Sequence, residues 1–236
     1  MFDFFWDGKP SAIRKYIITR DYDEGGIKMV DLTTFINSIK CSWIKRILQL
    51  ENANPLQKIY MQRLNKHGGN MLFECNLNKC DINKKFKNCI FLRDILLSWR
   101  QITIKDSIKS NENTIIWNNS LIRNGEGPLF FKTWLDKGIK TLEDIFDFRN
   151  KSYYKFDNIQ YLYNIPNVDF LKYGSLIKSI PGTLTNLIRS EIPEKPPTSI
   201  LLEKIQNIKN TTKVVYKFQK KENLQDIKQF KKWEEY

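Results

Sequence analysis

Acidic side chains, which could hold catalytic metal ions, occur in two short stretches of this chain. The first is DYDEGG at 21–26 and the second is LEDIFD at 142–147. Nuclease and nucleotidyl-transfer chemistry uses carboxylates that hold two metal ions about 4 Å apart. The first stretch falls in a predicted turn, where solvated carboxylates are ordinary, and Asp144 and Asp147 have the spacing of one helix face. Neither stretch puts an aspartate pair on a predicted strand, so we predict no catalytic site in this chain.

One histidine and four cysteines are the remaining candidates for catalysis or metal binding. His67 precedes two glycines in the polar segment HGGN, which predicts a surface loop and not a Ser-His-Asp arrangement. Cys41, Cys75, Cys80 and Cys89 show no CxxC spacing, and their intervals with His67 match no common zinc pattern. We therefore predict no metal, no cofactor and no disulfide framework.

The charge of the chain points to polyanionic partners. Its 236 residues carry a formal net charge of +13, and clustered Lys and Arg favour phosphate because binding releases condensed counterions. Nucleic acid is therefore the expected partner, although a Lys-, Asn- and Ile-rich composition also arises from an AT-rich genome without selection for binding. No window is long and apolar enough to predict a membrane span, and Met1 to Phe5 lacks the pattern of a signal peptide. We expect an intracellular protein, in the nucleus or the cytoplasm.

The basic residues form two groups with aromatic residues between them. The first contains Lys79, Lys84, Lys85, Lys87 and Arg93, and the second contains Lys213, Lys217, Lys220 and Lys221, with Phe86, Tyr216 and Phe218 interleaved. Such a stripe is suited to following a nucleic-acid backbone. The same pattern also fits a solvated helix face whose aromatic residues point into the core, and the sequence leaves both interpretations open.

The elements that position these residues begin with a predicted β-hairpin near 12–30. Its two short β-branched runs, AIRKYII and GIKMV, are separated by a turn rich in Asp and Gly. Asp31 is a suitable N-cap for a long helix, whose predicted buried stripe consists of Leu32, Phe35, Ile36, Ile39, Trp43, Ile47 and Leu50. Lys40, Lys45 and Arg46 lie off this stripe and are expected to face solvent.

The rest of the chain is predicted to be mostly helical. Helices are expected at 55–65, 86–101, 130–137, 142–148, 198–210 and 211–221, with two more between them at about 156–180. Residues 104–113 read as a linker and 193–197 as a hinge, and short strands around Ile116 and Leu129 predict a second hairpin near 114–130. We expect a mainly α protein, an elongated multi-helix assembly with two small β-hairpins. The predicted units are 1–52, 53–113, 114–192 and 193–236.

Two sequence blocks resemble one polymerase family. FFWDGKPSAIRKYIITRDYDEGGIKMVDLTTFINSIKCSWIKRIL at 4–48 is similar to the segment after the palm in reverse transcriptases of non-LTR (LINE-type) retrotransposons, where FxWxGKxxxI, GGLxxxDL and KxxWxxRLL follow one another. IIWNNSLIRNGEGPLFFKTWLDKGIKTLEDIFD at 115–147 resembles a region that follows the thumb in such proteins. The matching positions include Trp6, Gly8, Lys9, Gly25, Gly26, Asp31, Trp43, Arg46, Trp117, Asn118, Asn119, Trp134, Gly138 and Asp144.

The resemblance implies a thumb and connecting region without a catalytic palm. The palm and its paired aspartates would precede Met1, the opening aromatic residues would pack against it, and a zinc-knuckle-like region would follow Tyr236. The chain would then be no enzyme by itself. Its partners would be RNA or an RNA/DNA duplex, which it would contact at the sugar-phosphate backbone, and the palm of a parent polymerase. A stand-alone nucleic-acid-binding module and a non-functional remnant of a decayed element are the alternatives. The predicted phosphate contacts are Lys9, Arg14, Lys15, Lys40, Lys45, Arg46, Lys84, Lys85, Lys87, Lys213, Lys217, Lys220 and Lys221.

Overall fold

The computed structural model of this protein describes residues 7, 13, 15–49, 54–103, 115–125, 127–190 and 197–220. The fold is mainly helical, with two small two-stranded antiparallel sheets. This confirms the predicted fold class. The predicted linker at 104–113 and most of the predicted hinge lie outside the described residues, and the predicted division into four units stays a prediction.

The region of the first predicted hairpin is helical instead. Helix α1 spans Lys15–Ile18, and a 3₁₀ turn follows at Tyr22–Glu24. The chain does reverse here, because Met29 N–H donates to Ile18 O at 3.1 Å. Lys28 N–H also donates across the turn to Arg20 O, at 2.8 Å. Because Lys15–Ile18 is helical, however, these bonds do not form a strand ladder among the described residues, and the prediction of strands near 12–30 was wrong. Gly26 lies so close to the backbone of Arg20 that a Cβ at position 26 would be 2.3 Å from the Arg20 carbonyl oxygen.

Helix α2 spans Leu32–Leu48 and begins at the predicted cap, where the Asp31 carboxylate accepts from Thr33 N–H. Its buried face differs from most of the predicted stripe, although Ile47 is buried as predicted and Leu50 lies outside the described residues. The core side chains are Thr34, Ser38, Cys41, Ile44 and Ile47, whereas Leu32, Phe35, Ile36 and Ile39 are 39–49% exposed. Apolar residues occur on both sides of this helix. The side that is buried is therefore decided by packing against other helices, and it cannot be predicted from the periodicity of the helix alone.

Two helices, α3 at Pro55–Asn65 and α5 at Ile90–Thr103, pack against α2. Helix α4 at Lys79–Lys85 packs against α5, and a 3₁₀ turn at Gly69–Phe73 lies between α3 and α4. Helix α3 has the predicted bounds because Asn54 and Gln57 form a capping box around Pro55. Helix α5 makes the most extensive contact with α2, and Trp99 fixes it to the 3₁₀ turn by donating from Nε1 to Phe73 O at 2.6 Å.

A second packed region covers 115–190. Its elements are β1 at Arg123–Asn124, β2 at Gly127–Pro128, α6 at Lys132–Asp136, a 3₁₀ turn at Leu142–Ile145, β3 at Phe146–Asp147, β4 at Ser152–Tyr153, α7 at Phe156–Tyr163, α8 at Phe170–Ser179 and α9 at Gly182–Ser190. The β1–β2 sheet confirms a hairpin within 114–130, but its strands are not those predicted around Ile116 and Leu129. Ile115 forms only an isolated bridge with Thr141. The predicted helix at 142–148 is instead the 3₁₀ turn followed by β3, because the Asp147 carboxylate accepts from the N–H groups of Arg149 and Asn150 and turns the chain toward β4.

The centre of this second region is a cluster that we call the tryptophan core: Trp117, Phe131, Trp134, Ile139 and Asp169. Trp117 and Trp134 are fully buried, and their rings meet edge to face at 6.3 Å. Each indole N–H has a partner, since Trp117 donates to Ile139 O at 2.6 Å and Trp134 donates to an Asp169 carboxylate oxygen at 2.8 Å.

The last described helices are α10 at Pro197–Asn207 and α11 at 211–220. Helix α10 packs against α2, and α11 reaches the start of α2, where Asp31 N–H donates to the Tyr216 hydroxyl at 3.3 Å. Helix α11, the last described helix, is therefore a neighbour of α2 in the fold. Within the described residues, no helix combines the length and apolarity that crossing a membrane requires.

Candidate nucleic-acid interface

A groove of about 710 Å³ lies between α2 and the segment that leads into α11. We call it the basic groove. It is lined by Val30, Phe35, Ser42, Lys45, Arg46, Gln49, Lys209, Asn210, Thr211, Thr212, Lys213 and Tyr216.

The α2 wall of the groove is one stripe of the helix. Phe35, Ser42, Lys45, Arg46 and Gln49 are separated by seven, three, one and three positions, which keeps them on one side of a helix with 3.6 residues per turn. From Phe35 to Gln49 the stripe extends about 21 Å, at about 1.5 Å per residue. The groove is therefore elongated along α2 and not a round pocket.

Four cationic side chains line the groove: Lys45, Arg46, Lys209 and Lys213. None of the described residues that line it is acidic. Arg46 and Lys213 come from segments more than 150 positions apart in the chain, and the packing of α10 and α11 on α2 brings them to one surface. Such a local excess of positive charge attracts phosphate groups.

Two contacts fix the cations of the α2 wall. Lys45 Nζ donates to the carbonyl oxygen of Ile208 at 2.8 Å, which uses one of the three N–H donors of an ammonium group. The Arg46 guanidinium carbon lies 4.6 Å from the centre of the Trp43 ring, and Trp43 is held in turn by an edge-to-face contact with Phe91 at 5.3 Å. Stacking of this kind orients the guanidinium group while its N–H donors stay in solvent.

The opposite wall contains the first turn of α11. Its first helical bond runs from Val214 N–H to Asn210 O at 3.3 Å, so the N–H groups of the preceding residues have no partner within the helix. Thr211, Thr212 and Lys213 all line the groove. The partial positive charge of a helix N-terminus therefore adds to that of Lys209 and Lys213.

The far end of the groove is aromatic. The rings of Phe35 and Tyr216 meet edge to face with their centres 6.5 Å apart, and Val30 lies beside them in the lining. The hydrogen bond from Asp31 N–H to the Tyr216 hydroxyl holds the Tyr216 ring in place. The groove thus has a cationic end and an apolar end.

The structure brings together Lys45, Arg46 and Lys213 of the predicted contacts. Lys217 is exposed on α11 outside the groove lining. Lys220 pairs instead with Asp21 at 3.3 Å, and Asp21 also pairs with Lys28 at 3.2 Å. The hydrogen bonds from Lys28 and Lys220 lower the pKa of Asp21.

Lys40 also differs from expectation, because it forms an ion pair with Asp94 at 3.3 Å. This pair lies at a smaller pocket of about 260 Å³, which Lys79 and Arg100 also line. The prediction that Lys40 and Lys45 simply face solvent was therefore wrong, since both are half-buried and hydrogen-bonded. Arg46 is exposed, as predicted.

The basic group near α4 lies apart from the groove lining. Lys84 and Lys87 are exposed, while the Lys85 ammonium lies 5.9 Å from the centre of the Phe130 ring. Burial lowers the pKa of Lys85. Lys9, Arg14, Lys221 and the side chain of Lys15 lie outside the described residues, so their predicted contacts stay predictions.

Sequence reasoning predicted Lys213 but missed the rest of the basic and polar residues on the second wall of the groove. Lys209, Asn210, Thr211 and Thr212 were not predicted as site residues, although the segment KNTTK carries a recognisable signal. Asn and Thr at a helix start, flanked by lysines, combine a cap with positive charge where a phosphate prefers to bind.

Some of the acidic residues, the histidine and two of the cysteines considered above for catalysis or metal binding have contacts that stabilise the fold. The Asp144 carboxylate accepts from the N–H groups of Lys140 and Thr141, so it caps a turn and does not line a helix face. His67 is half-buried against the Phe86 ring, with the ring centres 5.2 Å apart, and burial lowers its pKa. Burial raises the pKa of Cys75 to about 12 and also raises that of Cys41. The part of the chain that the structure describes holds no cluster of His, Cys, Asp or Glu suited to a metal ion.

No protein-family profile, no curated protein and no solved structure matches this chain.

Proposed function

We propose that this protein binds nucleic acid through the phosphate backbone, and that it corresponds to the thumb and connecting region of a non-LTR retrotransposon reverse transcriptase. Its ligand is an RNA/DNA template-primer duplex, and the palm of a parent polymerase is its protein partner. The chain carries out no nucleotide transfer by itself. Such a protein acts inside the cell, in the nucleus or the cytoplasm, where its ligands are.

The basic groove is the observation that carries this proposal. Lys45, Arg46, Lys209 and Lys213 face one open channel without an acidic neighbour in the described lining. Phosphate contacts hold a duplex without reading its sequence, which suits a protein that must bind any template. The sequence resemblance supports the polymerase assignment separately, because α2 carries the KxxWxxRIL run, in which Trp43 stacks on Arg46 of the groove lining.

The expected signature is a steep salt dependence of duplex affinity. Neutralising four phosphates gives a slope of about −3.6 for log K against log salt concentration. We expect this slope in fluorescence anisotropy titrations of a labelled RNA/DNA hybrid between low and physiological salt. A flat salt response would contradict the proposal.

A charge-reversal variant tests whether the groove is the site. Arg46→Glu, Lys209→Glu and Lys213→Glu replace three exposed cations of the lining, and we expect the salt slope to lose about one unit for each. The matched control is Arg149→Glu, Lys155→Glu and Lys178→Glu, which makes the same change in net charge at exposed positions away from the groove. Equal losses in both variants would mean that net charge and not the groove governs binding.

A stand-alone nucleic-acid-binding module is the second candidate. It is favoured by the fact that both described walls of the groove, α2 and the start of α11, come from this one chain. A module of this kind binds a duplex with the full salt slope when no palm domain is present. A fragment that needs its palm would bind weakly alone and gain affinity when a palm domain is supplied.

Primer extension separates both candidates from an active polymerase. We expect the purified chain to add no nucleotide to a primed template. Template-dependent synthesis by this chain alone would overturn the assignment to a region without catalytic residues.

A further inference from the structure

We propose that the basic groove binds an unpaired nucleotide, with its phosphate at the cationic end and its base against Phe35 and Tyr216. This inference rests on the proposed nucleic-acid function and specifies the ligand of the same site. It assigns to the groove a single-stranded segment, such as the unpaired end of a template, in addition to the backbone of a duplex.

The groove has a direction because its two walls run in opposite senses. At one end Lys45 of α2 contacts Ile208, just before α11. At the other end Phe35 of α2 contacts Tyr216, five positions after the start of α11. The ten positions between Phe35 and Lys45 correspond to about 15 Å along the helix. Lys213 lies three positions before Tyr216, about one turn of α11, so a cation is also found near the aromatic end.

The aromatic end is available to a base. Phe35 is 40% exposed and Val30 is 47% exposed, although both are large apolar side chains. The Tyr216 hydroxyl accepts from Asp31 N–H, so the tyrosine ring is oriented before any ligand arrives. Rings held in this way lose little conformational entropy when a base packs against them, and stacking on aromatic rings is the usual way in which proteins hold unpaired bases.

A paired base cannot use this end of the groove. In a duplex both faces of each base are covered by neighbouring bases, so a duplex presents only its phosphates and groove edges to the protein. A volume of about 710 Å³ lies in the range typical of sites for small organic ligands, about 300 to 1,000 Å³. The combination of apolar rings, cations and this size therefore matches a nucleotide better than phosphate alone.

An abasic strand provides a direct test. Two labelled single-stranded oligonucleotides of equal length are titrated, one with bases and one with abasic sites throughout, so that their phosphates are the same. Stacking of one base predicts that the strand with bases binds about tenfold more tightly. Equal affinity for both strands would overturn the proposal, and would also be the result expected if the aromatic end is instead covered by another protein segment.

The variant Phe35→Leu keeps an apolar side chain but removes the ring. We expect it to abolish most of the preference for the strand with bases over the abasic strand. Phe170→Leu is the matched control, since Phe170 is also an exposed phenylalanine, at 59%, but lies in α8. A similar loss of preference in both variants, or an unchanged preference with Phe35→Leu, would contradict a specific base contact.

Competition with small ligands gives a readout that does not depend on folding of a variant. A nucleoside monophosphate should displace the labelled strand at a concentration well below that of inorganic phosphate. Equal potency of the two competitors would show that the groove senses phosphate only. If the two competitors are equally potent but the protein still binds a duplex in a salt-dependent way, only this inference is contradicted. If the protein binds no nucleic acid at all, the proposed function is contradicted as well.

Discussion

In the tryptophan core, the polar side chains form hydrogen bonds inside the protein, whereas in the basic groove three of the four cationic side chains face solvent. Trp134 donates to the buried Asp169 carboxylate, which also pairs with Lys172 at 2.7 Å. In the groove, Arg46, Lys209 and Lys213 are exposed and have no acidic neighbour in the described lining. Similar side chains therefore stabilise the fold in one region and remain available for a ligand in the other.

The comparison shows why charge along the sequence is a poor guide to a site. The basic run near α4 looks as dense as the one near α11, yet Lys85 is turned toward Phe130 and Asp81 is paired with Arg123 at 2.8 Å. The groove gathers cations from positions 45–46 and 209–213 that no local pattern connects. Convergence in space, and not density in sequence, distinguishes the two groups.

The largest expected effect is on the tryptophan core. Trp134→Ala removes a fully buried indole and one of the two partners of the Asp169 carboxylate, and we expect it to lower the free energy of unfolding by about 3–5 kcal/mol. Denaturant titration measures this, and duplex affinity per folded molecule should not change. Tyr161→Ala is the control, because Tyr161 is 89% exposed and its removal should change stability by less than about 0.5 kcal/mol.

For cations of the groove we expect the reverse of the Trp134→Ala result, a loss of duplex binding with little change in stability. Lys209→Glu with Lys213→Glu should reduce the salt slope of duplex binding by about two units and leave the free energy of unfolding nearly unchanged. Lys84→Glu with Lys87→Glu makes the same charge change on exposed lysines near α4. If this second pair weakens binding as much as the first, the two basic regions act together and the distinction drawn between them fails.

Acid should affect the tryptophan core in a defined direction. The hydrogen bond from Lys172 and that from Trp134 lower the pKa of Asp169 in the folded protein. A carboxyl group with a lowered folded-state pKa adds stability above its unfolded pKa of about 3.9, and that stability is lost as the pH falls toward the folded-state value. Wild type should thus be more stable than Asp169→Asn at pH 7, and the difference should shrink below about pH 4. Denaturant titrations at several pH values measure this, and a constant difference would contradict the role of the Asp169 charge.

Local signals in the sequence predicted parts of the fold well. The bounds of α3 follow from Asn54, Pro55 and Gln57, and the start of α2 follows from Asp31, because capping depends only on neighbouring residues. The buried face of α2 was mispredicted, since it depends on contact with α5, which begins at Ile90. The hairpin near 12–30 was mispredicted because β-branched residues favour strands on average, whereas Lys15–Ile18 is helical here and the bonds across the turn form no strand ladder.

The candidate site was only half predictable for the same reason. Arg46 and Lys45 were named from their position on α2 and from the resemblance, and Lys213 was named from its helical spacing. The residues that make them a groove, Lys209 and the first turn of α11, depend on a contact between Asp31 and Tyr216 across 185 positions. Contacts of that range leave no periodic trace in a single sequence.

The smallest expected effect comes from the one groove cation with an internal partner. Lys45 donates one hydrogen bond inside the protein, to Ile208 O at 2.8 Å, as the polar groups of the tryptophan core do. Its other two N–H donors remain available to a ligand, as in the other cations of the groove. Lys45→Met keeps the length of the side chain but removes that bond and one charge. We expect a loss of about 0.5–1.5 kcal/mol in the free energy of unfolding, together with a reduction of about one unit in the salt slope of duplex binding.

Measuring both quantities on the same variant decides which region Lys45 belongs to. Lys178→Met, at an exposed position in α8, controls for loss of a single charge and should change neither quantity appreciably. A change in stability alone would make Lys45 a structural lysine and reduce the ligand-facing cations of the groove to Arg46, Lys209 and Lys213. A change in the salt slope alone would mean that the bond to Ile208 contributes nothing to the fold and that the groove wall is held by apolar packing of α10 and α11 on α2.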